Sequence, residues 1–160
     1  MEFRGERVTL KELSIDHIES YMRMFSSTVK QLLHVDNNIC ERAYIEYCIQ
    51  QHMQRRYFCF TIFDNYEQIL IGSLFLKSPH DYKGQLESWI NEDYWGSGRY
   101  QESLALITRE YFDRSTVSLI TAHVYTDNMR SYKAHKKFGF MDIALIDGVY
   151  GKQYMLAYKR

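Results

Sequence analysis

The segment Gln85–Leu104, QLESWINEDYWGSGRYQESL, decides how the chain is read. Its first part, Leu86–Asn91 (LESWIN), reads as a strand, and Gln101–Arg114 places Leu104, Ile107 and Tyr111 on one helical stripe, with Ala105 and Phe112 beside it. Between them lies Gly96-Ser97-Gly98-Arg99-Tyr100. A helix start exposes unpaired N–H groups and the positive end of the helix dipole, and glycine ahead of it lets a phosphate approach. Gln101 stands where a dinucleotide-binding GxGxxG would have its third glycine, and GxxxxGK[ST] is absent, so neither nucleotide motif is present. On spacing alone, GxG before a helix suits a tight turn as well as a phosphate cradle.

Outward from this segment the chain forms one mixed pattern. Arg7–Leu13 alternates as a strand, and a helix follows with Ile18, Tyr21, Met22 and Phe25 on one face. A second helix over Glu41–Met53 turns Ile45, Cys48, Ile49 and Met53 inward; the stretch between these helices has no clear period. Tyr57–Phe63 is apolar on both faces, as a central strand is, and the polar turn Asp64–Gln68 joins it to Ile69–Lys77. Val117–Val124 reads as a strand, Asp127–Phe138 as a helix closed by Gly139, and Phe140–Ile146 with Val149–Tyr158 as a hairpin turning at Asp147-Gly148. The order β-α-α-β-β-β-α-β-α-β-β predicts an α/β protein with a mixed, mostly antiparallel sheet and flanking helices. No composition break marks a linker, so residues 1–160 read as one domain.

Composition excludes several classes. Twenty basic residues balance twenty acidic ones, which leaves no electrostatic footprint for nucleic acid. The local cluster Lys133, Lys136 and Lys137 reads first as a solvated helix face. No apolar run of membrane length exists, and MEFRGERVTL lacks the apolar core of a signal peptide. Three cysteines (Cys40, Cys48 and Cys59) without CxxC spacing read as buried, reduced thiols of a cytoplasmic protein. The six histidines show no HxxxH or HExxH spacing, so no metal site is expected. Glu41 and Glu46 read as surface charges in preference to contacts for a cationic substrate.

The neighbours of the glycines settle the ambiguity. WINEDYWGSGRYQESL resembles a signature of the GNAT acetyltransferases, in the branch that acetylates ribosomal-protein N-termini and polyamines. DNMRSYKAHKKFGF (Asp127–Phe140) resembles that family's N-x-x-S-x-x-x-x-x-K-x-G-F element, and DGVYGKQYMLAY its closing hairpin. The resemblance spans essentially the whole chain. It implies an acetyl-CoA-dependent N-acetyltransferase acting on a primary amine: a polyamine, a protein N-terminus or another small amine. It implies direct attack in a ternary complex, with acetyl-CoA as co-substrate and no metal. The coenzyme A pyrophosphate is expected on the N–H groups of Gly96, Ser97, Gly98, Arg99 and Tyr100. The pantetheine arm is expected along the backbone of Trp89, Ile90 and Asn91, with Asn128 steadying it. The acetyl group is expected where two central strands splay apart.

Four positions depart from the family pattern and bear on this. Gln85 stands where the branch often has a glutamate base; Glu87, two residues on and on the same strand face, is either the replacement base or an ordinary solvent-facing carboxylate. His135 stands where many members have a tyrosine that protonates the thiolate; it is either that acid or a surface histidine among lysines, and Ser131 and Tyr132 offer further hydroxyls. Tyr100 replaces a small residue and is expected to swing outward or reshape the loop, while Ser97 replaces a lysine whose charge Arg99 is placed to supply. Trp89 and Trp95 read as packing residues, Trp95 also lining the channel. The competing reading is a non-catalytic acyl-CoA-binding or regulatory module of the same fold. A homodimer through edge pairing or tail exchange is compatible with the chain. A nicotinamide-dependent oxidoreductase is disfavoured by the missing third glycine.

Overall fold

The computed structural model describes residues 1–36, 40–80 and 83–160. One eight-stranded sheet forms the frame: β1 (Glu2–Arg4), β2 (Val8–Glu12), β3 (Tyr57–Asp64), β4 (Leu70–His80), β5 (Lys83–Ile90), β6 (Leu119–Tyr125), β7 (Met141–Gly148) and β8 (Gly151–Lys159), in the order β1-β2-β3-β4-β5-β6-β8-β7. All neighbours run antiparallel except β5 and β6. The mixed, mostly antiparallel sheet with flanking helices expected from the sequence is therefore present.

Helices α1 (Ile18–Met24), α2 (Ser27–Leu32) and α3 (Glu41–Met53) cover one face, and α4 (Arg99–Arg114) and α5 (Met129–Phe138) the other. Strand alternation divides the core accordingly. Phe60, Ile62, Leu74 and Leu86 pack with Leu104 and Ile107 of α4, whereas Cys59, Phe75 and Trp89 pack with Tyr21 and Ile45.

Several local details differ from the sequence reading. β1 and α2 were not anticipated: β1 is three residues long, and α2 is a short helix whose start is the Ser26 hydroxyl accepting from the Val29 amide at 3.2 Å. The last hairpin turns at Val149-Tyr150, because Gly148 pairs with Gly151, so Asp147-Gly148 is the strand end. Met53 is 77% exposed at the end of α3, where Gln51 takes the inward position. Ala105 is likewise exposed, and Leu106 is buried beside the α4 stripe. Cys48 and Cys59 are buried, but Cys40 is exposed.

The feature that makes a site is the parting of β5 from β6. Their parallel ladder runs from Lys83/Leu119 to Leu86/Ala122 and stops. β5 continues on β4 as far as Ile90/Gly72, and β6 continues on β8 as far as Tyr125/Gln153. Each strand keeps one partner and loses the other, which opens a wedge in the middle of the sheet.

One buried ion pair ties this wedge to the opposite loop. The Asp64 carboxylate, fully buried at the end of β3, accepts from Arg99 Nε at 2.5 Å and from the amides of Tyr66 and Glu67. Burial raises its pKa, but the Glu67 amide and the Arg99 guanidinium outweigh this and hold it below the ordinary carboxylate value. Asp64→Asn is expected to destabilise the fold by about 3 kcal/mol at neutral pH, because a buried charge loses its partner. In urea melts at several pH values, the advantage of the native carboxylate should be complete above its unfolded-state pKa and vanish as pH falls through the depressed folded value.

Candidate active site

α4 begins without a cap. Gly98 precedes it at φ +82° and Gly96 stands at φ +72°, left-handed conformations that favour glycine. Among the described residues, no protein group accepts from the backbone N–H groups of Gly96 to Gln101. The side chains that might have done so are engaged elsewhere. Ser97 Oγ donates to the Tyr94 carbonyl (2.5 Å), Arg99 is held by Asp64, and Gln101 Nε2 donates to the Ala134 carbonyl of α5 (2.9 Å). Gln101 occupies the third helical position, from which glutamine ordinarily reaches back to cap. Glu102 instead accepts from the Arg7 amide at 3.1 Å. A row of unpaired donors at the positive end of a sixteen-residue helix is left open to an anion.

A cavity of about 290 Å³ lies over this row, between the loop, α2 and α5. Arg130, Lys133 and Lys137 of α5 line it. Arg99 does not, so the positive charge expected from Arg99 comes from α5 instead. Lys136, the third lysine of the cluster, is paired with Asp142 at 2.6 Å. Arg130 stacks over Trp95 at 4.3 Å, and the Trp95 indole donates to the Ile90 carbonyl at 3.1 Å, so Trp95 does line the cavity. The Ser26 hydroxyl donates to Glu92 at 2.5 Å, which seats α2 beside the loop.

The backbone of β5 presents fewer groups than expected. The Asn91 amide donates to the Ile71 carbonyl (2.8 Å), and its side chain bridges the Met24 carbonyl and the Asp93 amide. Asn91 is thus consumed within the fold. Alternation from that bond points the Trp89 amide toward β4 and the Ser88 and Ile90 amides into the wedge. The Trp89 indole donates to Tyr21 on the other face of the sheet at 2.9 Å. Asn128 caps α5, accepting from the Ser131 amide at 3.3 Å, and lines both this cavity and the larger one behind it.

Tyr100 does not swing outward. Its ring turns into the core, and its hydroxyl lies 2.7 Å from Ser88 Oγ and 3.2 Å from His135 Nε2. His135 Nδ1 donates to the Ser131 carbonyl at 2.7 Å, with Ser131 Oγ 3.3 Å away. His135 is 3% exposed, which corrects its reading as a surface histidine. Burial pushes its pKa below the ordinary value despite the Ser131 carbonyl, so the ring is neutral and accepts from Tyr100. Burial likewise raises the Tyr100 phenol.

The larger cavity, about 620 Å³, opens on the α1–α3 face of the wedge. Glu87 lines it, with its carboxylate bound by Lys77 Nζ (2.6 Å) and by the Tyr44 hydroxyl. Lys77 also donates to Tyr44 at 3.0 Å. Gln85, His123, Tyr125 and Tyr150 complete this side. Among the described residues no group of three or more His, Cys, Asp or Glu side chains is arranged to hold a metal, and no helix is long and apolar enough to cross a membrane.

Of the residues expected from the sequence to bind the cofactor or act in catalysis, Trp89, Ile90, Gly96, Ser97, Gly98, Tyr100, Asn128 and Ser131 line one cavity, and Asn91 and Arg99 do not. The sequence reading missed Ser88, Arg130 and Tyr44, weighed Lys133 and Lys137 as solvated, and gave no role to His123.

Residues 7–141 match the acetyltransferase (GNAT) domain model, and the chain belongs to that acetyltransferase family. The fold is shared with solved acetyltransferases of low identity. The ribosomal-protein-S5-alanine acetyltransferase from Vibrio fischeri superposes with a TM-score of 0.83 at 14% identity, covering 99% of this chain and 96% of that one. An acetyltransferase from Salmonella typhimurium that modifies the N-terminal serine of ribosomal protein L7/L12 gives 0.84 at 16%, covering 98% and 96%. The microcin C7 self-immunity acetyltransferase MccE, solved with acetyl-CoA and AMP, gives 0.80 at 15%, covering 98% and 94%. No curated protein matches the chain in sequence.

The Tyr100 hydroxyl carries a structural load that can be weighed. Tyr100→Phe leaves the buried His135 Nε2 without its donor and is expected to cost about 1–2 kcal/mol in urea denaturation. The His135→Phe, Tyr100→Phe double variant should recover part of that loss, since both partners are then apolar.

Proposed function

We propose that this single acetyltransferase domain moves the acetyl group of acetyl-CoA to a primary amine, on a polyamine, a protein N-terminus or a small amine, by direct attack in a ternary complex. The observation that carries this reading is the uncapped start of α4 beside the β5–β6 wedge. Free N–H groups, with Arg130, Lys133 and Lys137 facing them, suit a pyrophosphate. The Ser88 and Ile90 amides suit a pantetheine arm laid along β5, and one of them suits the oxyanion formed when the amine adds to the thioester carbon.

The acceptor enters from the opposite face, through the cavity lined by Glu87. In this reading Glu87 is part of the acceptor wall rather than the base, because Lys77 and Tyr44 already occupy its carboxylate. The nitrogen–carbon bond forms, the carbon–sulfur bond breaks, and the electron pair leaves with sulfur. The thiolate takes the second proton of the attacking nitrogen, relayed by the Ser88 hydroxyl, which Tyr100 and the neutral His135, oriented by Ser131, hold in place. Buried cysteines support direct transfer: burial raises the Cys48 pKa to about 11 and that of Cys59 further, so neither is a ready thiolate.

Titration calorimetry with acetyl-CoA, followed by thiol release over a panel of amines, tests the proposal. The panel holds peptides starting with serine or alanine, spermidine and 2-phenylethylamine. Absence of binding at millimolar acetyl-CoA would sink it; binding without turnover on any amine would favour the acyl-CoA-binding module. Lys133→Ala with Lys137→Ala is expected to weaken acetyl-CoA by about tenfold, and less at high salt, whereas Lys136→Ala should change it little. Glu87→Gln unmasks the Lys77 ammonium toward a cationic acceptor. It should raise the acceptor KM by about three- to tenfold with kcat within about twofold, whereas a base would lose kcat.

A further inference from the structure

Buried polar atoms in a folded protein almost always have partners, and an exception calls for a reason. Among the described residues two side-chain atoms are buried without one: Thr121 Oγ1 and His123 Nε2. Both belong to β6, two residues apart, and therefore lie on one face of the sheet. It is the face of Gln85 and Glu87, because Thr121 stands directly beside Gln85 in the parallel ladder. His123 follows where the ladder has ended, at the mouth of the wedge, and its ring lines the larger cavity.

The other described histidine side chains are all committed. His17 bonds Thr61, His34 pairs with Asp127, His52 accepts from the Cys59 amide, and His135 joins Ser131 to Tyr100. Among the described residues no hydrogen bond reaches His123: Nε2 is buried and unpartnered, whereas Nδ1 is not buried. Among the described residues no carboxylate pairs with it. Burial and the nearby Lys83 ammonium both keep its pKa below the ordinary histidine value, so it is neutral at pH 7 and carries a free lone pair.

We propose that His123 is the catalytic base of the acetyl transfer, accepting the ammonium proton of the acceptor, directly or through one water, at Nδ1, the ring nitrogen that is not sealed inside the protein. The inference rests on the amine-acetyltransferase reading above and adds to it the group that the Glu87 geometry leaves lacking. The acceptor reaches the thioester from the face His123 lines. The imidazole takes one proton from the ammonium, and the freed nitrogen lone pair attacks the carbonyl carbon. The proton then passes to solvent through the cavity, so the sum is amide, coenzyme A thiol and one released proton.

The test compares the native enzyme with His123→Gln on the panel amine that turns over fastest. It repeats the comparison with the aminooxy analogue of that acceptor, whose nitrogen is unprotonated at pH 7. A base predicts a kcat loss of about 100-fold or more with the ordinary amine, acetyl-CoA affinity by calorimetry within about twofold, and a loss of under about tenfold with the analogue. Equal losses with both acceptors, or kcat within about threefold of native, would overturn the proposal. Should His123→Gln lose acetyl-CoA binding, His123→Asn replaces it; loss in both variants marks a structural residue and also overturns it. A native enzyme that turns over no amine overturns the amine-acetyltransferase reading and this inference together, whereas a fast His123→Gln variant overturns the inference alone.

Discussion

The site depends on one constraint: the first turn of α4 must stay unsatisfied. An uncapped helix start costs stability, because side-chain caps contribute about 1 kcal/mol each. Here the capping candidates are all drawn off. Ser97 turns back to the Tyr94 carbonyl, Arg99 goes to the buried Asp64, Gln101 to α5 and Glu102 to the amide of Arg7. Each of these bonds stabilises another junction of the fold. The same four contacts that hold the loop in shape also keep its N–H groups available, so the rigidity of the loop and the exposure of its donors arise together.

The wedge between β5 and β6 follows from competing pairings in the sheet. A parallel pair is slightly less stable per residue than an antiparallel one, and β5 and β6 each have an antiparallel partner on the other side. Where the strands part, polar groups replace the ladder: the Ser88 hydroxyl, Tyr100 and His135 form a bonded chain on the α4–α5 side. This explains how a bulky Tyr100 is accommodated at the helix start. Its ring fills space that the lost ladder leaves, and its hydroxyl meets two partners.

The sequence carried the parts of this that depend on local backbone. Alternation and helical spacing located most strands and helices, and Gly96 and Gly98 marked positive φ before a helix because few other residues adopt it. What it did not carry was direction. Whether Arg99 or Lys133 lines the cavity at the uncapped helix start depends on Asp64, thirty-five residues before Arg99, which is buried against Arg99. Lys136 and Lys137 are neighbours in sequence, yet one is bound by Asp142 and the other lines the cavity. The missed β1 and α2 are too short for a period to show, and the Asp147-Gly148 pair looked like a turn although the register places Val149 and Tyr150 there.

His135 and His123 show why burial alone says little about role. Both lie in the fold with pKa values pushed down, and both line the larger cavity. His135 donates through one nitrogen and accepts through the other, so its protonation would break the Tyr100 bond and place a charge in the core. That ring is suited to holding the Ser88–Tyr100 chain in place. His123 has nothing to lose on protonation except solvation, and the cavity beside it restores some of that. Among the described residues nearly every buried polar group is satisfied, and the face of β6 bearing Thr121 and His123 is where hydrogen-bonding capacity remains unspent, beside the larger cavity.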